Sequence, residues 1–283
     1  MKVAFLGERG SFSELAAIEH FGPSAKLQAK PDFPEIYRSV ADGDCRYGIV
    51  PIENSLAGSI HQNYDLLLES GLFITGEILL RIGHFLIANK GVKKTQVRRI
   101  FSHPQALAQC KEYLKRFPNV EKIPYPNTAL AVKKIRDEKL DDSAAVASMQ
   151  AAIDFNMNIL AGNIEDNKWN TTRFLIVARK AEKPPKGVPV KTSVVFSMKN
   201  VPGALFKCLG AFALRDIDLY KIESRPVHGK GFKYLFYLDF EGSAESESQR
   251  NAISNLQEIT RFYRLLGSYP QGKPVQPRCQ RRK

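Results

Sequence analysis

Acidic residues are in short supply here: 29 against 42 lysines and arginines in 283 residues, a formal net charge of +13. Such an excess raises nucleic acid as a partner. The positive side chains are dispersed, however, apart from a tail holding Lys273, Arg278, Arg281, Arg282 and Lys283. No basic stretch carries the interleaved aromatics that stack bases. The sequence therefore predicts no nucleic-acid partner, and a basic surface that would attract a small dianion. Long apolar runs are missing as well. None approaches membrane-spanning length, and the apolar start of the chain is too short for a signal-peptide core. No membrane partner is expected, and the cytoplasm is the expected compartment. Four scattered cysteines form no Cys-x-x-Cys pair, and five histidines show no ligand spacing. Disulfides, zinc and other metals are not expected. The turn Gly7-Glu8-Arg9-Gly10-Ser11 is neither a dinucleotide fingerprint nor a P-loop, so no cofactor is expected.

What is present describes a globular chain of two domains, with 43% apolar and 25% charged residues. The first half alternates strands with helices. Strands are expected at 3–6, 47–51, 84–88, 99–101, 144–147 and 174–178. Helices are expected to open at Ser11-Phe12-Ser13-Glu14, Asp32-Phe33-Pro34-Glu35, Ser59-Ile60-His61-Gln62 and Ser102-His103-Pro104-Gln105, the last running to Phe117. Two more are expected at 128–137 and 148–155. Such alternation predicts α/β architecture. The stretch 179–187 is charged and Pro-rich, as a linker is. Beyond it, Val194, Phe196 and Met198 alternate as in a strand, and Pro202 opens a helix with Leu205, Leu209 and Phe212 on one face. A strand at 219–225 ends at Pro226. The turn His228-Gly229-Lys230-Gly231 precedes the period-two run from Phe232 to Phe240. A helix carrying Ala252, Ile253, Leu256 and Ile259 and a strand at 263–266 complete a βαββαβ order, the ferredoxin-like arrangement.

Two stretches carry chemistry. Asp166-Asn167-Lys168-Trp169-Asn170-Thr171-Thr172-Arg173-Phe174 sets a carboxylate, amides, hydroxyls and a guanidinium against a buried apolar run. Arg173 can pair with a carboxylate, and a neighbouring hydroxyl can donate or relay a proton. Glu53-Asn54-Ser55 follows an apolar strand, where ligands bind in α/β sheets. Ordinary turn chemistry is the alternative account of each stretch. The turns around Ser11 and Ser102 precede helix starts, whose free N–H groups hold carboxylates.

Read as Asp-x-x-x-Asn-x-Thr-Arg-Phe, the first stretch resembles the signature of prephenate dehydratases and the related arogenate dehydratases. Blocks at 7–17, 50–60, 102–110 and 144–152 resemble that family in the same order. The second half resembles an ACT domain, with Gly203-Ala204-Leu205-Phe206 and Glu223-Ser224-Arg225-Pro226 as its phenylalanine-sensing motifs. The resemblance implies a catalytic domain over 1–179 with two α/β lobes, similar to type II periplasmic binding proteins. It further implies a linker over 180–191, a ferredoxin-like ACT domain over 192–269 and a basic, disordered tail over 270–283. It implies decarboxylating dehydration of prephenate to phenylpyruvate in L-phenylalanine biosynthesis, without cofactor. The family's catalytic threonine falls on Thr172. Substrate contacts are expected from Arg173, Asn170, Phe174, Glu53, Asn54, Ser55, Ser11 and Ser102. Phenylalanine is the expected effector, in a homodimer or homotetramer assembled through the ACT domains. Three departures from the family pattern stand out: Thr171, where Val or Ile is usual, Glu8 for Pro, and Ala57 for Gly.

Alternatives remain at this stage. The substrate is prephenate or arogenate, between which the stretch 58–68 does not choose. A non-catalytic amino-acid sensor would share the fold, and salt-dependent DNA retention surviving loss of 271–283 would revive a nucleic-acid binder.

Overall fold

The computed structural model describes residues 1–199, 201–226 and 234–277. The expected turn at His228-Gly229-Lys230-Gly231 and the tail arginines lie outside the described residues. The chain forms two units. The first holds Met1–Leu66, Ile78–Phe174 and the described residues from Lys273; the second holds Leu67–Glu77 and Leu175–Gly272.

The first unit opens with β1 (Lys2–Leu6), α1 (Phe12–Phe21), β2 (Lys26–Lys30), α2 (Phe33–Ala41) and β3 (Tyr47–Asn54). Strand β1 pairs in parallel with both β2 and β3. Ser11 and Asp32 cap the helices as expected, each in extended backbone and each accepting from the N–H three residues on. The Glu14 carboxylate accepts from Gly10 N–H at 2.7 Å rather than from Ser11, drawing the preceding turn onto the helix start. After β3 the chain doubles back into β4 (Gly58–Ser59), with Ser59 opposite Glu53. Asn54 drives this turn, its Oδ1 accepting from Leu56 and Ala57 N–H at 3.1 and 3.0 Å. Ser59 is thus a strand residue and not the expected cap of α3 (His61–Glu69), which leads to β5 (Phe73–Arg81).

A second sheet follows: β6 (Phe85–Ala88), β7 (Arg99–Ser102), α4 (Pro104–Gln109), α5 (Lys111–Leu114), β8 (Glu121–Pro124), α6 (Thr128–Asp137), β9 (Ser143–Ala147), α7 (Met149–Asp154) and β10 (Asn158–Ala161). Its strand order is β10-β6-β9-β7-β8. Alternation splits its side chains cleanly. Ile87, Phe101, Ala145 and Ala147 pack with Val132 and Ile135 of α6, whereas Leu86, Ile100, Ala144 and Val146 pack with Ala106 and Leu114. Every residue of β9 is buried, as a strand covered on both faces requires. Each large apolar side chain removed from water contributes about 1.5–3 kcal/mol.

The helix expected from Ser102 to Phe117 needs two corrections. Ser102 closes β7 and donates its hydroxyl to Val146 O at 2.6 Å inside the sheet, so His103 caps α4 instead. The helix also breaks at Cys110. There Asp166 N–H donates to Gln109 O at 2.8 Å, and its carboxylate accepts from Glu112 N–H, capping α5 from a distant part of the chain.

Strand β11 (Thr171–Ala178) joins the first sheet, and from Leu175 the chain belongs to the second unit, which continues with β12 (Val190–Met198), α8 (Ala204–Ala213), β13 (Leu219–Pro226), β14 (Tyr234–Glu241), α9 (Glu247–Ile259) and β15 (Thr260–Pro270). Its sheet runs β13-β14-β12-β15, the ferredoxin-like order expected from the sequence. Val194, Phe196, Leu238 and Phe240 pack on Phe212 of α8 and Leu256 of α9. Helix α8 begins two residues later than Pro202 because Gly203 stands in left-handed backbone, φ 75°, as its N-cap. Residues 180–191 lie in this unit. Finally β16 (Pro274–Val275) pairs in parallel with Leu79 and Leu80 of β5, so the expected disordered tail contains a short strand. The first sheet then reads β16-β5-β11-β3-β1-β2, with β4 beside β3. The structure adds β2, β4, β5, β8, β10 and β16 to the expected strands.

Candidate active site

Within the first unit, a cavity of about 350 Å³ opens where the ends of β1, β3 and β11 meet the starts of α1, α4 and α6. Leu6, Asn54, Thr172 and Phe174 line it from the strands. Ser11, Phe12 and Ser13 line it from the start of α1, and Asn127 and Thr128 from the start of α6. Asn127 caps α6 by accepting from Leu130 N–H at 2.7 Å. The first-turn N–H groups of both ten-residue helices have no acceptor inside their helix, which suits them to a carboxylate.

A chain of hydrogen bonds runs along one wall. Asn54 donates from Nδ2 to Thr172 Oγ1 at 3.0 Å and to Asn170 Oδ1 at 2.7 Å. Asn170 donates in turn to Gln109 Oε1 at 3.0 Å, and the same oxygen lies 3.0 Å from His84 Nε2. All except Gln109 are buried, and Asn170 and His84 are 0% and 2% exposed. The His84 ring stands edge-on to Phe12.

No aspartate, glutamate, lysine or arginine lines the cavity among the described residues. Its only titratable lining groups are His84 and His103, and burial pushes both below the usual imidazole range. At His84 the Gln109 hydrogen bond and the Glu165 carboxylate pull partly the other way. What this lining offers a charged group is neutral donors and helix ends.

The expected site residues divide accordingly. Thr172, Asn54, Ser11 and Phe174 line the cavity, and Asn170 braces the wall. Thr171 does not: strand alternation turns it the other way, and its hydroxyl donates to Trp169 O at 3.2 Å. Arg173 alternates away too, buried with Nη1 on Glu53 Oε1 at 3.1 Å, and neither residue lines the cavity. Ser55 Oγ accepts from Thr171 N–H at 3.0 Å in an exposed turn, and Ser102 is fully occupied within its sheet. Arg173, Glu53, Ser55 and Ser102 are therefore framework at this site, not lining. Sequence reading missed Gln109, His84 and the start of α6. Only Asn127, an N-cap residue ahead of an apolar-periodic run, left a visible signal.

This arrangement can hold a small anion and donate hydrogen bonds to a departing oxygen. Residues 3–182 match the family described as Prephenate dehydratase. The chain belongs to the prephenate dehydratase family. It is accordingly an enzyme, a carbon–oxygen lyase. Among curated relatives, the chain is 45% identical over 279 residues to arogenate dehydratase/prephenate dehydratase 2, chloroplastic, of Arabidopsis thaliana, covering 95% of this chain and 73% of the relative. Among solved structures, prephenate dehydratase from Arthrobacter aurescens in complex with L-Phe superposes with a TM-score of 0.88 at 30% identity, covering 96% of this chain and 90% of that one. A protein described as a novel type of quorum-quenching acylase is equally similar in fold, with a TM-score of 0.88, 32% identity and coverage of 95% and 98%.

Proposed function

We propose that the cavity takes prephenate in preference to arogenate and converts it to phenylpyruvate, a step in L-phenylalanine biosynthesis. The observation that carries this reading is the absence of Asp, Glu, Lys and Arg from the lining among the described residues. Arogenate bears an ammonium where prephenate bears a keto oxygen. An ammonium moved into a cavity without a carboxylate loses hydration and gains no counter-charge. A keto oxygen needs only donors, which Ser13 and Gln109 can supply.

The pyruvyl carboxylate is assigned to the N-termini of α1 and α6. The ring hydroxyl is assigned to Thr172, which accepts from Asn54 and so has its own proton free for the cavity. As the bond from ring to carboxylate breaks, its electron pair enters the ring and the opposite C–O bond opens. CO₂ and hydroxide leave, the hydroxide becoming water with a solvent proton. Thr172 stabilises the departing oxygen as a hydrogen-bond donor. Among the described residues no lysine or arginine lines the cavity to hold the departing carboxylate, and the apolar walls at Phe12, Ile60, Ile82 and Phe174 solvate it poorly. The test is kcat/KM for prephenate and arogenate side by side. We expect prephenate to win by at least tenfold, and arogenate preference overturns the assignment.

The second unit supplies the regulatory part of the proposal. Phenylalanine binds at Gly203, Ala204, Leu205 and Phe206 with Glu223, Ser224, Arg225 and Pro226, and lowers activity. In support, Leu205 and Phe206 are 36% and 80% exposed at the start of α8, and the Arthrobacter relative holds L-Phe. Exposed apolar surface of this kind suits burial against a second copy, in a homodimer or homotetramer. No helix of the described residues is long and apolar enough to cross a membrane. Cys45, Cys110 and Cys208 are buried free thiols, which suits the reducing cytoplasm proposed as its compartment.

A further inference from the structure

The direction of every hydrogen bond along the cavity wall is fixed from one end. Leu56 and Ala57 N–H can only donate, so the Asn54 atom they meet is its oxygen. Asn54 then presents its NH₂ to Asn170 Oδ1, and Asn170 presents its NH₂ to Gln109 Oε1. An oxygen facing His84 Nε2 at 3.0 Å can only accept. His84 is therefore protonated at Nε2 and bare at Nδ1. That Nδ1 is buried without a hydrogen-bond partner among the described residues. Leaving such an atom unmet is unfavourable, and an apolar side chain would avoid it. The histidine thus has a use at its other nitrogen.

We propose that His84 is a positioning residue: by donating to Gln109 Oε1, it turns the Gln109 NH₂ toward the cavity to donate to substrate. Gln109 lines the cavity, and no described residue accepts from its Nε2. With His84 and Asn170 both donating to Oε1, the inverted carboxamide would set NH₂ against two donors. Losing His84 leaves Asn170 as the single restraint, and the amide gains a second orientation. The backbone holds the ring in place, since His84 N–H donates to Glu165 Oε2 at 2.9 Å. The groups facing His84 are Glu165, Arg81 paired with Glu165 at 3.6 Å, and the neutral Gln109 and Phe12. Protonation at Nδ1 would put a buried donor where no acceptor waits.

This inference rests on the dehydratase reading for its kinetics but not for its tautomer. Histidine-labelled wild-type enzyme, observed by ¹⁵N NMR at neutral pH, should show one imidazole fixed as the Nε2–H form, and that signal should vanish in His84→Gln. An Nδ1–H form at His84 overturns the proposal whether or not the protein turns over prephenate. With wild-type turnover established, His84→Met should lower kcat about tenfold with KM changed less than twofold. His84→Gln, whose Nε2 can replace the lost donor, should recover to within about threefold. The double variant His84→Met, Gln109→Met should be no slower than Gln109→Met alone. Equal kcat in the Met and Gln variants, or additive losses in the double variant, would refute a positioning role. If wild type turns over neither prephenate nor arogenate, the functional reading fails and the tautomer experiment still decides this one.

Discussion

Asn54 and Thr172, 118 residues apart in sequence, meet through a 3.0 Å hydrogen bond from Nδ2 to Oγ1 at the cavity wall. The bond makes the Thr172 oxygen an acceptor from the protein and leaves its proton for the ligand. Asn54→Ala should therefore damage catalysis and the β3–β4 turn together. We expect kcat to fall about 10²-fold and stability to drop by about 1–3 kcal/mol. Steady-state kinetics and denaturant titration of the same sample check both.

The neighbouring hydroxyls should separate cleanly. Thr172→Val keeps shape and β-branching but removes the donor, and we expect at least a 10²-fold loss in kcat with little change in melting temperature. Thr171→Val, facing Trp169 O, should stay within threefold of wild type. A Thr172→Val enzyme with normal turnover would falsify the assigned role.

Arg173 should behave as framework. Its guanidinium is buried against a partly exposed Glu53 carboxylate. Arg173→Met should cost about 2–3 kcal/mol, below the range for a fully buried pair because water still reaches Glu53. KM of the remaining folded enzyme should change less than threefold. A tenfold rise in KM without loss of stability would return Arg173 to the substrate.

Burial lowers the pKa of His20, His84 and His103 below the free value of 6.5. Between 6.5 and each lowered value, the unfolded chain binds more protons than the native one, so stability rises with pH in that window. It should fall as pH drops below about 6.5 and continue falling until the native imidazoles themselves protonate. Melting temperatures from pH 8 to pH 5 test this, and His84→Gln should flatten the acid-side loss. Glu165 and Arg81 are the charged neighbours to hold constant.

Gly203→Val tests the effector site. At φ 75° a β-branched residue is strained even though the space beside Gly203 is open. We expect phenylalanine inhibition to weaken about tenfold, with uninhibited kcat within twofold. Unchanged inhibition would place the effector elsewhere.

Local chemistry was legible where it is short-range. The caps at Ser11 and Asp32, the alternation along β12 and β14, and the βαββαβ order all follow from periodicities of two and 3.6 and from side chains that meet a nearby N–H. The cavity was half legible: Thr172 and Asn54 stand in polar stretches beside apolar strands, whereas Gln109 and His84 look like any helix end and any strand start. Their role depends on partners 61 and 25 residues away, and no local spacing encodes that. Arg173 shows the opposite failure. A guanidinium next in sequence to the Thr172 hydroxyl invites a ligand role, but strand alternation sends adjacent side chains to opposite faces.

The short pairing of Pro274–Val275 with Leu79–Leu80 has a consequence for synthesis. The first sheet takes one of its edge strands from residues that follow the whole second unit in sequence. During translation the nascent first unit carries an open edge at Leu79–Leu80 of β5 until Pro274 and Val275 emerge. Premature termination after β15 would release a protein with every cavity residue present and an unguarded strand, a seed for edge-to-edge association.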